Sequence, residues 1–440
     1  MFERKLEVPF EPLAAAKRLE GSPGLAFLYS GLQAYGLGRY SILAANPKEQ
    51  IALFGEKSDC FGELQKAYPE FGKQSGGDLP FYSGLIGYFS YDAGRQLERA
   101  KFGFRSTEKP LGRFGYYQGG IVFDHSTEET WLVAESEAAS AAVEPIVEQA
   151  FGATGSLSGD FELCSELRSN FEKEEYCERV ESIRSLISQG EVYQVNLSQR
   201  FEAQFRGSGL ELFFRLAEYS PAPYSAYLSF GDEEIVSSSP ERFLYVDGEG
   251  ATTRPIKGTR ATGGSEIEAG RNEEELRGSE KDRSELLMIV DLERNDLGRV
   301  CEPGSVRVDE LFRLERYATV IHQTADVSGT LENGVDAMAC AKAMFPGGSI
   351  TGAPKIRAMQ VIDDLERGER GVYTGSIGYF DMSGRADLNI AIRTLRLAGN
   401  TLSYQVGGGV VWDSDPESEY EETLLKAKAM VKALHGGNDE

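Results

Sequence analysis

The chain is poor in the residues on which several common chemistries depend. Only three of its 440 residues are histidine: His125, His322 and His435. Proton transfer must therefore rest mainly on carboxylates and lysine. His322 is the one histidine in an ordered-looking, apolar-flanked segment, after Val320-Ile321. The five cysteines (Cys60, Cys164, Cys177, Cys301, Cys340) are scattered, with no CxxC or Cys/His ligand spacing. Free thiols and a reducing, cytoplasmic compartment are the expectation. No apolar run reaches membrane-spanning length. Met1-Phe2-Glu3-Arg4-Lys5-Leu6-Glu7 lacks a basic stretch followed by an apolar one, so no signal peptide is expected. Positive charge is also short, at 46 Lys and Arg against 70 Asp and Glu, a net charge of −24. That balance argues against general binding to nucleic acid or an anionic membrane. An anionic substrate would need local cations, backbone N–H groups or a metal to overcome the field.

What is present reads as a globular, enzyme-sized chain of one large fold or two domains, with 41% hydrophobic and 10% aromatic residues. Fifty glycines are spread evenly and mark turns and close contacts. Strand patterns lie at Leu25–Ser30, Ser41–Ala45, Gly84–Tyr91, Gly119–Asp124 and Thr130–Glu135, and helical ones at Ala138–Gln149 and Glu174–Ser188. The latter ends at Gly190, a C-cap. Gly152–Ser165 is the candidate linker. Beyond it, Tyr193, Val195, Leu197 and Phe201 alternate with Gln194, Asn196 and Ser198. Strands follow at Ser225–Phe230, Glu234–Ser238, Phe243–Val246 and Ala251–Ile256, then a polar, mobile excursion over Thr262–Gly278. Helices are expected at Ser279–Leu297, at Val335–Met344 and from Pro354, and strands at Gly375–Asp381, Leu388–Leu397 and Leu402–Val406. Asp415-Pro416 opens a last helix as N-cap and N1. This order predicts an α+β fold with antiparallel sheets.

Several residues stand out chemically. Lys257 follows Arg254-Pro255-Ile256 and precedes Gly258-Thr259. It is either an ordinary strand-end lysine or a desolvated amine able to act as a nucleophile. Glu422 and Lys426 share a helix face at i, i+4, as a surface pair or as part of a site behind Gly407-Gly408-Gly409, whose bare amides can meet an anion. Glu285 precedes a mostly apolar helical run; with Glu422 it either holds Mg²⁺ or is simply solvated. Glu241, after a Ser-Ser-Pro turn, is placed to protonate a leaving oxygen or to pair locally. Arg393, alternating with Ile390 and Ile392 on a strand, suits a carboxylate, and Tyr373 adds a hydroxyl. Phe345–Lys355 lacks the spacing of a nucleotide phosphate loop.

Taken together, Gly190–Leu197, Ser239–Phe243, Pro255–Arg260, Asp291–Leu297, Gly347–Lys355, Ala391–Thr394 and Asp413–Lys426 resemble the chorismate-utilising enzymes. That family comprises the anthranilate, aminodeoxychorismate, isochorismate and salicylate synthases. The resemblance is dense from Tyr176 to Leu434 and weaker over the first 165 residues. It implies an anthranilate synthase component I-like fold, mainly antiparallel sheets in a sandwich with helices outside. An N-terminal region 1–165 and a chorismate-binding region 166–435 would share those sheets. By resemblance, Glu285 and Glu422 bind Mg²⁺. Gly258, Thr259, Tyr373, Arg393, Gly407, Gly408, Gly409 and Lys426 hold the carboxylates of chorismate. Glu241 protonates the departing C4 hydroxyl, and His322 lies near it.

Two positions sort the branches. Isochorismate- and salicylate-forming enzymes carry a water-activating lysine where this chain has Gln194. Anthranilate synthases usually carry alanine where it has Lys257, and lysine there is the form of the aminodeoxychorismate synthases. The resemblance therefore implies amination of chorismate to 4-amino-4-deoxychorismate, for p-aminobenzoate and folate biosynthesis, through a Lys257 adduct at C2. Anthranilate formation is the nearest alternative, and a non-catalytic chorismate- or glutaminase-binding subunit the second. The chain has no Gly-x-Cys-x-Gly elbow, so ammonia is expected from a separate glutaminase subunit. Ser30 and Pro223-Tyr224-Ser225 match segments that form a tryptophan pocket in some relatives. They read equally as ordinary core and turn residues, and no feedback regulation is expected.

Overall fold

The computed structural model describes residues 1–55, 58–73, 76–98, 102, 109–152, 160–317 and 320–437. Two large sheets dominate, and every strand pair in them is antiparallel. Among the described residues one has 13 strands and the other 10. Strands from before and after residue 165 occur in both: Tyr40–Ala44 and Thr401–Val410 in the larger, Gly84–Phe89 and Ser376–Asp381 in the smaller. Alternation explains the layering, because each strand sends successive side chains to opposite faces. Ile86, Tyr88, Ile377 and Tyr379 of the smaller sheet pack with Ile42, Ala226, Leu228 and Ile235 of the larger one. The outer faces are covered by helices, with Phe213, Leu216, Met430 and Leu434 against the larger sheet and Leu286, Val290, Met344 and Met359 against the smaller.

Local chemistry sets the helix ends. Ser279 accepts from the Asp282 amide to start Glu280–Leu297, and Asp415 accepts from Ser418 ahead of Pro416–Leu434. Gly190, at φ 75°, follows the end of Lys173–Ser188 as expected.

Several elements depart from the pattern. Thr262–Gly278 is no mobile excursion: Ser265 caps a helix over Glu266–Gly278. Its few apolar side chains, Ala269 and Leu276, are enough to seat it. The run Leu388–Leu397 is broken into Ala386–Asn389 and Thr394–Ala398, because the chain leaves the smaller sheet and joins the larger one there. Pro354 is the N-cap, not the first helical residue, of Lys355–Leu365. Tyr193 precedes the Gln194–Gly207 strand and is 67% exposed, so it does not share the buried face of Val195 and Leu197. Part of the candidate linker, 153–159, lies outside the described residues, and Phe161–Leu163 is a short strand on Phe205–Gly207. The long hairpin Arg307–Arg316 and Val320–Thr330 had no clear signal, since its outer strand is largely polar.

Candidate active site

The site forms where the edge of the smaller sheet meets the glycine strand of the larger one. Lys257 lies on the Ile256–Ala261 edge strand, and Gly258 after it has φ 74° and forms a bulge. The bulge leaves Lys257 opposite Gln323 and puts Thr259 opposite His322. No side chain fits at Gly258, where a Cβ would lie 2.8 Å from Leu276 Cδ1 and 3.0 Å from Asp282 Cβ. Thus the helix carrying Glu285 approaches the lysine closely.

Lys257 is half-buried and its Nζ donates to the Ser349 carbonyl at 3.0 Å. No carboxylate lies within ion-pair range of it among the described residues. Burial lowers its pKa, against the opposing pull of Glu285, Glu241 and Glu422. Glu241 sits between the strands Glu233–Ser239 and Arg242–Asp247 and is 5% exposed. Burial raises its pKa, only partly offset by a hydrogen bond from Ser349 and by Lys257. The pair is thus biased towards a neutral amine and a neutral acid, the states that a nucleophile and a proton donor need. The adjacent Arg242 is engaged elsewhere, bidentate on Asp387 at 3.0 and 2.9 Å.

His322 is buried, with Nδ1 2.8 Å from Thr259 Oγ1. Burial, with the Arg393 charge nearby, pulls its pKa down to about 3, so it is a neutral imidazole. Arg393 does not lie on a strand. It occupies the break between strands at φ 50°, donates to Ser220 Oγ at 3.3 Å, and has no carboxylate partner among the described residues. Burial disfavours its charge, yet a guanidinium stays protonated, so it is ready for an anion. Tyr373 is buried, and its ring lies 5.7 Å from the Arg370 guanidinium.

Gly407, Gly408 and Gly409 lie inside the Thr401–Val410 strand, not after it, and pair with Ser198, Leu197 and Asn196. The neighbour on their other edge, Thr394–Ala398, pairs only as far as Tyr404. The final helix covers this stretch: Lys426 Nζ donates to Gly407 O at 3.0 Å and pairs with Glu422 at 2.7 Å. Burial pushes Glu422 up, but Lys426, Lys281 and Lys257 outweigh it and its pKa falls. Glu285, 3.9 Å from Lys281, is raised by burial despite Lys257 and Lys281. Among the described residues no group of three or more His, Cys, Asp or Glu side chains gathers as a metal cage. Two carboxylates facing a lysine fit Mg²⁺ instead, which takes few protein ligands and keeps water or substrate oxygens.

Four participants were missed. Glu293 is 2% exposed and accepts from the Gly348 amide at 3.0 Å, anchoring the turn that carries Ser349. It falls on the Leu286, Ile289, Val290 face of its helix, a periodicity legible in the sequence. Glu419 lies one turn before Glu422, accepts from Ser414 at 2.6 Å, and would stand 3.1 Å from a Cβ on Gly408. Arg370 pairs with Glu366 at 2.7 Å and donates to Asn196 O and Ile350 O at 2.8 and 3.0 Å, tying three segments together. Ser349, buried on the Gly348–Ile350 turn, holds Lys257 through its carbonyl.

A family model described as chorismate binding enzyme matches residues 27–432. The chain belongs to the chorismate-binding enzymes. One relative in that family, aminodeoxychorismate synthase component 1 of Klebsiella aerogenes, is 36% identical, with 98% of each chain covered. Another, anthranilate synthase component 1 of Aquifex aeolicus (strain VF5), is 37% identical over 93% of this chain and 86% of its own. The solved anthranilate synthase component I from Streptococcus pneumoniae TIGR4 covers 91% of this chain and 93% of its own, at 33% identity and a TM-score of 0.79. The expected fold and family are therefore borne out. Identity alone barely separates two differently named activities, so the site has to.

Ser30, Pro223, Tyr224 and Ser225 come together elsewhere, on a cavity of about 300 Å³ between the sheets. Ser30 Oγ donates to Tyr40 O at 2.6 Å.

Proposed function

We propose that this chorismate-binding enzyme aminates chorismate to 4-amino-4-deoxychorismate, as the component that carries the synthase site. The observation that carries this reading is Lys257: a half-buried primary amine, tethered to Ser349 O at 3.0 Å and lacking an ion-pair partner among the described residues. Lys257 attacks C2 of the ring, the double bonds shift, and the C4–O bond breaks. Glu241 gives its proton to the departing hydroxyl, which leaves as water. Ammonia then forms a bond to C4, the C2–N bond breaks with its electron pair leaving on the Lys257 nitrogen, and the new C4 ammonium returns a proton to Glu241, so that amine and acid are both restored with the enolpyruvyl group intact. Gln194 supplies no base for water, in keeping with nitrogen as the nucleophile.

Arg393, Tyr373, Thr259, Lys426 and the Gly258 and Gly407–Gly409 backbone bind the two carboxylates, which answers the −24 field. His322 stays neutral beside the leaving group and orders Thr259. Glu285 and Glu422 would hold Mg²⁺, which supplies Lewis-acid withdrawal of charge from the ring carboxylate. A glutaminase second component delivers ammonia; the naming of relatives as component 1 supports a partner. Five free cysteines, and the lack of a helix long and apolar enough to cross a membrane among the described residues, support the cytoplasm as the setting.

The test is turnover of chorismate with ammonium salt and Mg²⁺ by the chain alone, wild type against Lys257→Ala. An unchanged rate in the variant would remove the lysine route. The second reading, anthranilate formation, is favoured only by the comparable likeness to an anthranilate synthase. It requires pyruvate release in step with product.

A further inference from the structure

A cleft of about 870 Å³ opens beside the turn that carries Ser349. Its walls include Tyr193, Leu292, Asn295, Asp296, Ala353 and Lys355. Three contacts connect these walls to the catalytic centre. Ala353 pairs with Gln194. Leu292 backs onto Gly348, whose Cβ would lie 3.2 Å from Leu292 Cβ. Ser349, next along, holds Lys257. Gln194, Glu293 and the Gly348–Ala353 turn therefore stand behind the cleft walls, on the side of the lysine.

These residues hold an unusual set of orphaned groups. Gln194 is 0% exposed, and both its amide atoms lack a hydrogen-bond partner among the described residues. Its Nε2 lies against the glycine strand, 2.1 Å from where a Gly409 Cβ would stand. Glu293 spends Oε1 on the Gly348 amide, while Oε2 has no partner among the described residues. Leaving such buried groups unpaired disfavours the folded state. A small polar guest with donors and a lone pair would satisfy them. The groups facing Glu293 are Asp296, Lys355 and Glu241, with the Gly348 amide. Burial, then Asp296, raise the Glu293 pKa, against Lys355 and that amide. A carboxylate so placed is a stronger base than an ordinary one and works nearer neutrality.

Building on the amination reading, we propose that nitrogen supplied as ammonium, without the glutaminase component, enters through this cleft, that Glu293 Oε2 takes its proton, and that Gln194 receives the ammonia. An N–H bond of ammonium breaks and its electron pair stays on nitrogen. The proton ends on Glu293, giving neutral acid and NH₃. Gln194 Oε1 accepts one ammonia N–H, which leaves the lone pair free for the ring. Glu293 then returns its proton to solvent at the cleft.

The experiment uses the full chain with chorismate, Mg²⁺ and ammonium chloride, comparing wild type, Glu293→Gln and Leu292→Trp. Glutamine keeps the acceptor for Gly348, so the turn remains anchored; tryptophan narrows the inner end of the cleft. Both variants should lose about tenfold or more in kcat/KM for ammonium while the KM for chorismate is unchanged. The Glu293→Gln deficit should shrink as pH nears the pKa of ammonium, because free ammonia then arrives needing no base. Wild-type kcat/KM for ammonium in either variant would overturn the proposal. So would a Glu293→Gln deficit equal at every pH, or one shared by chorismate, since either marks a purely structural role. If wild type itself forms no amine from chorismate and ammonium, the amination reading falls, and that result differs from each of these.

Discussion

Lys257 Nζ and the main-chain oxygen of Ser349 stand 3.0 Å apart, a lysine on a sheet edge tied to a turn some ninety residues away. The bond fixes the amine without a counter-charge. A carboxylate in that place would hold the lysine as ammonium and quench it; a carbonyl oxygen orients it and leaves protonation to burial.

Lys257→Ala should therefore lower amination by several orders of magnitude while chorismate still binds. Lys257→Arg should not rescue, because a guanidinium does not give up its proton near neutrality. Steady-state turnover beside equilibrium binding of chorismate checks both. Rescue by arginine would show that the position needs only positive charge.

Glu241→Gln should reduce kcat by about 10²–10⁴-fold. The pH profile is the sharper readout. A raised Glu241 and a lowered Lys257 give a bell in wild type, limited by protonation of the amine on one side and ionisation of the acid on the other. With the acid removed, the residual rate should climb with pH to a plateau and lose its alkaline fall. A bell retained in the variant would place the proton donor elsewhere.

Glu285→Gln and Glu422→Gln should each raise the Mg²⁺ concentration for half-maximal activity by about 10–100-fold or more, taking outer-shell losses as a lower guide. A titration of rate against Mg²⁺ after chelation reads this directly. A wild-type metal response would reject the ligand tested.

His322 makes a stability prediction. Its folded pKa, about 3, lies below the ordinary 6.5 because burial disfavours the charge. The stability it contributes is fully present above pH 6.5 and is lost as pH falls towards about 3. Denaturant unfolding of wild type and His322→Gln across that window should show a shallower acid loss in the variant. Parallel curves would mean that another group sets the acid limb.

Much of this was legible beforehand, for physical reasons that differ by element. The last helix was readable because Asp415 and Pro416 cap it locally, so Glu422 and Lys426 fell on one face as expected. Lys257, Gly258 and Thr259 were readable as a group, but the bulge that parts them depends on the Val320–Thr330 partner strand. Apolar alternation suggests a strand at Arg393 because it does not reveal where a chain changes sheets; the φ of 50° lies at that crossing. The burial of Glu293 is legible from its place on the Leu286, Ile289, Val290 face, but its bond to the Gly348 amide is not, because only the fold brings that turn to the helix. Arg370 gives no sequence signal, because its role lies in joining Asn196, Ile350 and Glu366, which only the fold brings together.

The most direct test of the central claim is mass identification of the product that the isolated chain makes from chorismate, Mg²⁺ and ammonium salt. A lysine-dependent amination at C4 predicts 4-amino-4-deoxychorismate, with the enolpyruvyl group retained and no pyruvate released. Anthranilate with equimolar pyruvate would contradict it.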